Sequence, residues 1–98
     1  MIRSLAAENR WLVSGEILVD NANAVLTESG ALEMRDALEI NFSSVTNTDT
    51  SAISLIMEWQ RRASAANHKI TFSNLPEGLG SLATLYGVAE FIPLSVNQ

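Results

Sequence analysis

Hydrophobic and polar residues alternate with two different periods along this chain. Leu38, Ile40 and Phe42 are separated by single polar residues, the period of two that is typical of a strand with one buried face. Residues 10–18 form another apolar run, in which Gly15 marks a point where a strand tolerates a bulge. The pattern also predicts short strands at 4–8, 69–72 and 91–94.

Three segments carry apolar residues at helical spacing. The first covers residues 21–32, and the second, which is the longest, covers residues 51–67. The third begins at Pro76, because a missing N–H is harmless in a first helical turn, and it ends at Gly87. The sequence therefore predicts three helices.

The order of these segments predicts an α/β fold. Strands that are joined through a helix favour parallel neighbours and right-handed crossovers. We expect a mixed β-sheet of about five strands with three helices, in a single domain that spans residues 1–98. A polar loop at 45–50 is predicted to connect the strand at 38–43 to the longest helix.

Composition and charge narrow the class of partner. The chain has 98 residues, of which 47% are hydrophobic and 17% are charged, so it suits a small folded domain and not a disordered tail. Its net charge of −5 argues against nucleic acid and against anionic lipid as direct partners, since both require a basic surface. The sequence has neither a signal-peptide pattern nor an apolar run long enough for direct membrane insertion. We therefore expect a cytoplasmic protein that reaches a membrane only through another protein.

Few residues in the sequence support catalysis or cofactor binding. The chain has no cysteine and a single histidine, His68, which excludes thiol chemistry and a histidine metal cluster. Residues 76–80 contain two glycines but lack the spacing and the lysine of a phosphate-binding loop. Because no nucleophile, base and orienting group occur together, we expect no catalytic residue, no metal, no cofactor and no enzymatic activity.

The most informative segment is the one that leads into the longest helix, Asp49, Thr50 and Ser51. These residue types have an ordinary explanation as helix caps. The alternative is a regulatory hydroxyl, because a phosphate on Ser51 or Thr50 would add about −1.5 to −2 charges and change the surface that a partner meets. The residues alone leave both interpretations open.

The longest helix carries two further candidate features. Leu55 and Trp59 stand four residues apart, off the main apolar face, so they form either an exposed patch for a partner or a second buried edge. Glu58 and Arg62 also stand four apart, in the order that favours an ion pair on an exposed helix surface.

Taken in order, these motifs resemble the STAS domain family (sulfate transporter and anti-sigma factor antagonist). The strand and loop at 38–53 resemble the family's central motif, in which a hydrophobic strand leads to Asp-Ser/Thr-Ser/Ala-Gly-Leu at a helix start. Residues 14–17 resemble its Gly-Glu-Leu strand, and residues 82–93 resemble its C-terminal helix and closing segment. The likeness covers about residues 4–94, and it implies the STAS-like fold.

Within the family, the chain resembles most the MlaB-type branch, whose motif has a threonine at the position of Thr50. This resemblance implies a non-catalytic cytoplasmic subunit, peripheral at the inner membrane, that binds the ATPase of an ABC phospholipid transporter. Through that ATPase it would meet the permease and the lipid-binding protein, and it would support outer-membrane lipid asymmetry. The implied partner-binding residues are Asp49, Thr50, Ser51, Ser54 and Leu55.

A second branch of the family offers an alternative. Ser51 matches the phosphorylated position of anti-sigma factor antagonists, whose partner is an anti-sigma factor that acts as a serine kinase. Two positions depart from the family pattern: Asn41 stands where Asp is frequent, and Ala52 stands where Gly is usual. Alanine keeps the helix start small, so close approach by a partner is still expected. Both branches are protein-binding modules.

Overall fold

The computed structural model describes residues 1–94. Within them, the strands are Ile2–Leu5 (β1), Arg10–Ile17 (β2), Leu38–Thr48 (β3) and Ile70–Ser73 (β4). The α-helices are Ala22–Gly30 (α1), Thr50–Ala65 (α2) and Glu77–Leu85 (α3). Two 3-10 turns lie at Ala6–Glu8 and Ala89–Phe91.

The strands form one mixed sheet in the order β1-β2-β3-β4. Strand β1 pairs with β2 in antiparallel orientation, and the pairs β2–β3 and β3–β4 are parallel. Each parallel pair is connected through a helix, as the sequence pattern predicts. The predicted α/β class and the three helices are confirmed.

One hydrophobic core joins the sheet to all three helices. Its centre is a chain of edge-to-face aromatic contacts in which Trp59 of α2 lies 5.8 Å from Trp11 and 6.3 Å from Phe42 between ring centroids. Phe42 in turn lies 6.2 Å from Phe72 of β4. Helices α1 and α3 add Val25 and other buried residues to the same core. Strands β2, β3 and β4 and helix α2 are therefore packed around four aromatic rings.

Strand β3 is longer than its hydrophobic pattern predicts. The predicted polar loop at 45–50 is wrong for its first four residues, because β3 continues to Thr48. This part of β3 pairs with β2, from Ser14 opposite Ser44 to Ile17 opposite Thr48. Strand β4 ends opposite Asn41, so among the described residues the far end of β3 has a strand on one side only. Polar side chains suit that exposed position.

The predicted strand at 91–94 is also wrong. A 3-10 turn occupies Ala89–Phe91, and Leu94 makes only an isolated parallel bridge to Phe72. The backbone N–H of Phe72 donates to the carbonyl of Pro93 at 2.9 Å. Because proline has no N–H to return, a regular ladder does not form there. The sheet within residues 1–94 thus has four strands and not about five.

Several element boundaries differ from the predicted ones. The first strand is Ile2–Leu5 and not 4–8, because the chain turns at Ala6–Glu8 before β2. Helix α2 ends before Asn67, which has a left-handed φ of 58°. The next residue, His68, is half-buried, and its Nδ1 lies 2.8 Å from the carbonyl oxygen of Met34.

Trp59 and Arg62 tie α2 to the end of α1. Trp59 is fully buried, and its Nε1–H donates to the hydroxyl of Ser29 at 2.9 Å, so the buried interpretation is confirmed and the exposed patch is wrong. Arg62 donates to the carbonyls of Ser29 and Leu32 and lies over the ring of Trp11. Ser29 lies in the last turn of α1 and Leu32 lies just beyond its end, so Arg62 holds the end of α1 against α2. The predicted Glu58–Arg62 pair is therefore wrong.

Replacing Arg62 with methionine is expected to lower the free energy of unfolding by about 2 kcal/mol, because two carbonyls lose a charged donor. Urea unfolding measures the change. Arg61→Met is the matched control, since Arg61 is exposed and, within residues 1–94, its guanidinium pairs only with the carboxylate of Glu58. We expect little change from the control, and equal losses for the two variants would contradict the role of Arg62.

Candidate functional site

Asp49 joins the amino end of α2 to the loop that follows β2. Its Oδ1 accepts a hydrogen bond from the N–H of Ser51 at 2.8 Å, and its Oδ2 accepts one from the N–H of Val19 at 2.9 Å. The first bond is the helix cap that the residue type predicts. The second bond fixes the β2–α1 loop beside α2, so Asp49 has a supporting role at this site.

These bonds stabilise the carboxylate form of Asp49. The bond from the Val19 N–H is the largest influence, and it lowers the pKa of Asp49 below its ordinary value. Partial burial acts in the opposite direction, and the N–H and hydroxyl of Ser51 lower the pKa further. The site therefore keeps a negative charge at neutral pH.

The lowered pKa makes part of the stability depend on pH. The folded chain holds the proton of Asp49 less tightly than the unfolded chain, so the stabilisation is complete above the unfolded pKa and is lost as pH falls through the lower folded pKa. Asp49→Asn removes one acceptor, and we expect its Tm to be lower than wild type by on the order of 5 °C at pH 7. This difference should shrink below about pH 4.

Thermal unfolding followed by circular dichroism from pH 2 to pH 7 measures this dependence. Asp20→Asn is the matched control, since Asp20 is exposed in the neighbouring loop and makes no side-chain hydrogen bond among residues 1–94. The control should follow the wild type throughout. A Tm difference for Asp49→Asn that stays constant over the whole range would contradict the assignment.

The other predicted site residues lie on the first two turns of α2. Thr50 and Ser54 are exposed, and Ser51 is partly exposed. Leu55 is only 3% exposed, so little of its side chain is available to a partner. The structure thus brings three hydroxyl groups together at the surface, with Leu55 beneath them.

A groove of about 230 Å³ lies between α1 and α2 beside Ser51 and Ser54, and Thr50 lies outside its lining. Its lining from α2 is Ser51, Ser54, Leu55 and Glu58. Its other wall comes from the β2–α1 loop and from α1: Val19, Ala22, Asn23 and Leu26. Val19 is 72% exposed, which is unusual for a valine. The groove has an apolar floor and a polar rim.

The sequence prediction missed the wall that α1 contributes. Ala22 and Leu26 stand four residues apart, which predicts a helix, but this spacing does not show which neighbour they face. The available signal was topological, because loops after adjacent parallel strands meet at one edge of a sheet. By that argument the segment after β2, which contains Val19, belongs beside Asp49.

The two departures from the family pattern have visible local roles. Ala52 is fully buried in the first turn of α2 and contributes its methyl group to the core. The Oδ1 of Asn41 accepts a hydrogen bond from the N–H of Ser43 at 2.7 Å, within its own strand. Neither residue lines the groove, so the departures leave the candidate site unchanged.

The site has no arrangement that suggests a reaction. Its hydroxyl groups have neither a histidine nor a lysine beside them in the groove lining. In residues 1–94, no cluster of His, Asp and Glu has the number of ligands that a metal ion needs. Over the same residues, each helix is too short or too polar to cross a membrane.

Comparison with known proteins identifies the family. The sequence matches the family model described as "Mlab, STAS domain" over residues 4–94. The chain therefore belongs to the STAS domain family. More specifically, the matched model is that of the MlaB-type STAS domain, as the resemblance of the central motif predicts.

The fold is also that of a solved STAS protein. The structure of the anti-sigma factor antagonist SpoIIAA in its unphosphorylated form superposes with a TM-score of 0.72 at 13% sequence identity. The match covers 98% of this chain and 87% of that one, so it establishes the shared fold. A search of curated proteins finds no match to the sequence.

Proposed function

We propose that the chain is a non-catalytic STAS subunit that binds the ATPase of an inner-membrane ABC phospholipid transporter. The observation that carries this proposal is the MlaB-type match over residues 4–94, together with an exposed Thr50 at the start of α2. In this role the chain supports assembly and activity of the ATPase. The transporter in turn maintains the lipid asymmetry of the outer membrane.

The size of the groove supports a protein partner. At about 230 Å³ it is smaller than the roughly 300–1,000 Å³ of typical small-molecule sites. It has room for one or two side chains from another protein. We propose that Thr50, Ser51 and Ser54 surround this contact, while Leu55 contributes the floor and Asp49 fixes the loop.

The proposal places the chain on the cytoplasmic side, peripheral at the inner membrane. The ATPase lies on that side, and the permease and the lipid-binding protein are reached through it. A net charge of −5 disfavours a direct contact with anionic lipid headgroups, which attract basic segments. Membrane association in this proposal is therefore indirect.

Ser51 favours a second candidate function, that of an anti-sigma factor antagonist switched by phosphorylation. Its hydroxyl is partly exposed at the amino end of α2, and the phosphate would face backbone N–H groups and the helix dipole. The partner in this case is the anti-sigma factor kinase. A phosphate on Ser51 would place a double negative charge beside Asp49 and break the contact with that partner.

Size-exclusion chromatography of the purified chain with the transporter ATPase tests the main proposal. We expect the two to co-elute at micromolar concentrations and the rate of ATP hydrolysis by the transporter complex to rise when the chain is present. Separate elution with an unchanged rate would reject it. Incubation with the anti-sigma factor kinase and ATP tests the alternative, which predicts stoichiometric phosphate on Ser51.

A further inference from the structure

The loop between β2 and α1 is held to the start of α2 by hydrogen bonds to its backbone. The N–H of Asp49 donates to the carbonyl of Ile17 at 3.3 Å, and the N–H of Val19 donates to Oδ2 of Asp49 at 2.9 Å. Between these two bonds, the N–H of Leu18 donates to Oδ1 of Asn21 at 2.8 Å, and the carbonyl of Leu18 accepts the N–H of Asn21 at 3.0 Å. The backbone of this loop is therefore fixed by α2 on one side and by the start of α1 on the other.

Val19 lies in this fixed loop with its side chain largely in solvent. It is 72% exposed, and it lines the groove. Among the described residues, the other large apolar side chains that are exposed lie at Met1 and within residues 85–94, and none of them lines the groove. Because the loop is already ordered, a partner that covers Val19 meets little further cost of ordering it.

The lining of the groove carries almost no free charge. Among residues 1–94, its one charged member is Glu58, whose carboxylate pairs with the guanidinium of Arg61. The other lining residues are apolar or polar and neutral: Val19, Ala22, Asn23, Leu26, Ser51, Ser54 and Leu55. A charged group entering the groove would lose water without gaining an unpaired opposite charge, whereas an apolar group would gain contact with Val19, Leu26 and Leu55. The lining therefore favours an uncharged, apolar occupant.

We propose that Val19 is the anchor for an apolar side chain that the ATPase places in the groove, and that Asp49 positions Val19 for this contact. The incoming side chain packs between Val19 on one wall and Leu55 on the other. The bond from the Val19 N–H to Asp49 fixes the loop before binding, so less conformational freedom is lost when the partner arrives. This inference rests on the proposed function, and it names the residue and the class of partner side chain that make the contact.

Binding titrations of the purified chain with the transporter ATPase test the anchor. Val19→Ala removes two methyl groups from an exposed side chain, and we expect it to raise the Kd about 5–15-fold, because that apolar surface is no longer buried on binding. Leu85→Ala is the matched control, since Leu85 is 76% exposed at the end of α3 and does not line the groove. The control should bind within about 2-fold of the wild type.

A double-mutant cycle tests whether Asp49 acts through Val19. Asp49→Ser keeps one side-chain oxygen as the cap of α2 but has no second oxygen for the N–H of Val19. We expect it to weaken ATPase binding about 3–10-fold in the wild-type chain and less than about 2-fold in the Val19→Ala chain. A general loss of stability would instead lower the affinity equally in both chains, and circular dichroism at the temperature of the titration checks that each variant is folded.

Each outcome decides between the inference and the function beneath it. Weaker binding by Val19→Ala but not by Leu85→Ala, together with the expected coupling to Asp49→Ser, supports the inference. Wild-type affinity for Val19→Ala, or equal losses for Val19→Ala and Leu85→Ala, would overturn the anchor while leaving the ATPase as partner. Equal losses from Asp49→Ser in both chains would overturn the positioning role. No binding by the wild type would reject the proposed function and the inference with it.

Discussion

A glutamate at position 51 is expected to weaken binding of the ATPase by on the order of 100-fold or more, because it places an unpaired carboxylate inside the contact. Ser51 lines the groove, and the new charge would stand beside Asp49 without a basic residue of the chain nearby. The fold should survive, since an acidic side chain is favourable in the first turn of a helix. Binding titrations, with circular dichroism as the check on folding, measure both parts of this expectation.

Two further variants make the expected result specific to the site. Thr50→Glu adds the same charge one residue earlier, at an exposed position, and should also weaken binding strongly. Ser81→Glu adds it to an exposed position on α3 and should leave the affinity close to that of the wild type. Equal affinities for all three variants would remove the amino end of α2 from the interface.

Replacing Trp59 with alanine is expected to cost about 3–5 kcal/mol of the free energy of unfolding, the range for large aromatic residues in cores. Trp59 is fully buried, contacts Trp11 and Phe42, and donates to Ser29. Because a domain has only about 5–15 kcal/mol in total, this variant should lose a large share of its stability.

Trp59→Phe separates packing from hydrogen bonding at this position. It keeps an aromatic ring in the core but leaves the hydroxyl of Ser29 without the indole donor. We expect it to cost about 1–3 kcal/mol, less than the alanine variant. Urea unfolding gives both values, and a loss below about 1 kcal/mol for Trp59→Ala would contradict the central position of this ring.

The sequence was sufficient for the order of four strands and three helices, but it was insufficient for their ends and wrong for a strand at 91–94. Alternation at Leu38, Ile40 and Phe42 locates β3 because one face of that strand is buried. The same strand continues through Thr46 and Asn47, whose exposed polar side chains carry no hydrophobic period. These residues form a strand only because they pair with β2. The pairing of segments that are distant in sequence cannot be predicted from the local pattern of residues.

The helix cap at the candidate site could be predicted from the sequence, but its long-range bond and its groove could not. Asp49 could be identified as a cap because that chemistry depends on residues next to it in sequence. Its second bond, to the N–H of Val19, joins residues 30 apart and requires the folded sheet. The groove likewise exists only where α1 meets α2, so Leu26 gave no functional signal by itself.

Amide hydrogen exchange of the chain, alone and in complex with the transporter ATPase, tests most directly whether this surface binds the partner. We expect slower exchange on binding in residues 18–26 and 49–58, which form the two walls of the groove. The exposed apolar residues Leu85, Tyr86 and Phe91 lie on a different part of the chain and should exchange at unchanged rates. Protection confined to residues 85–94, with none at 49–58, would contradict the assignment of the site.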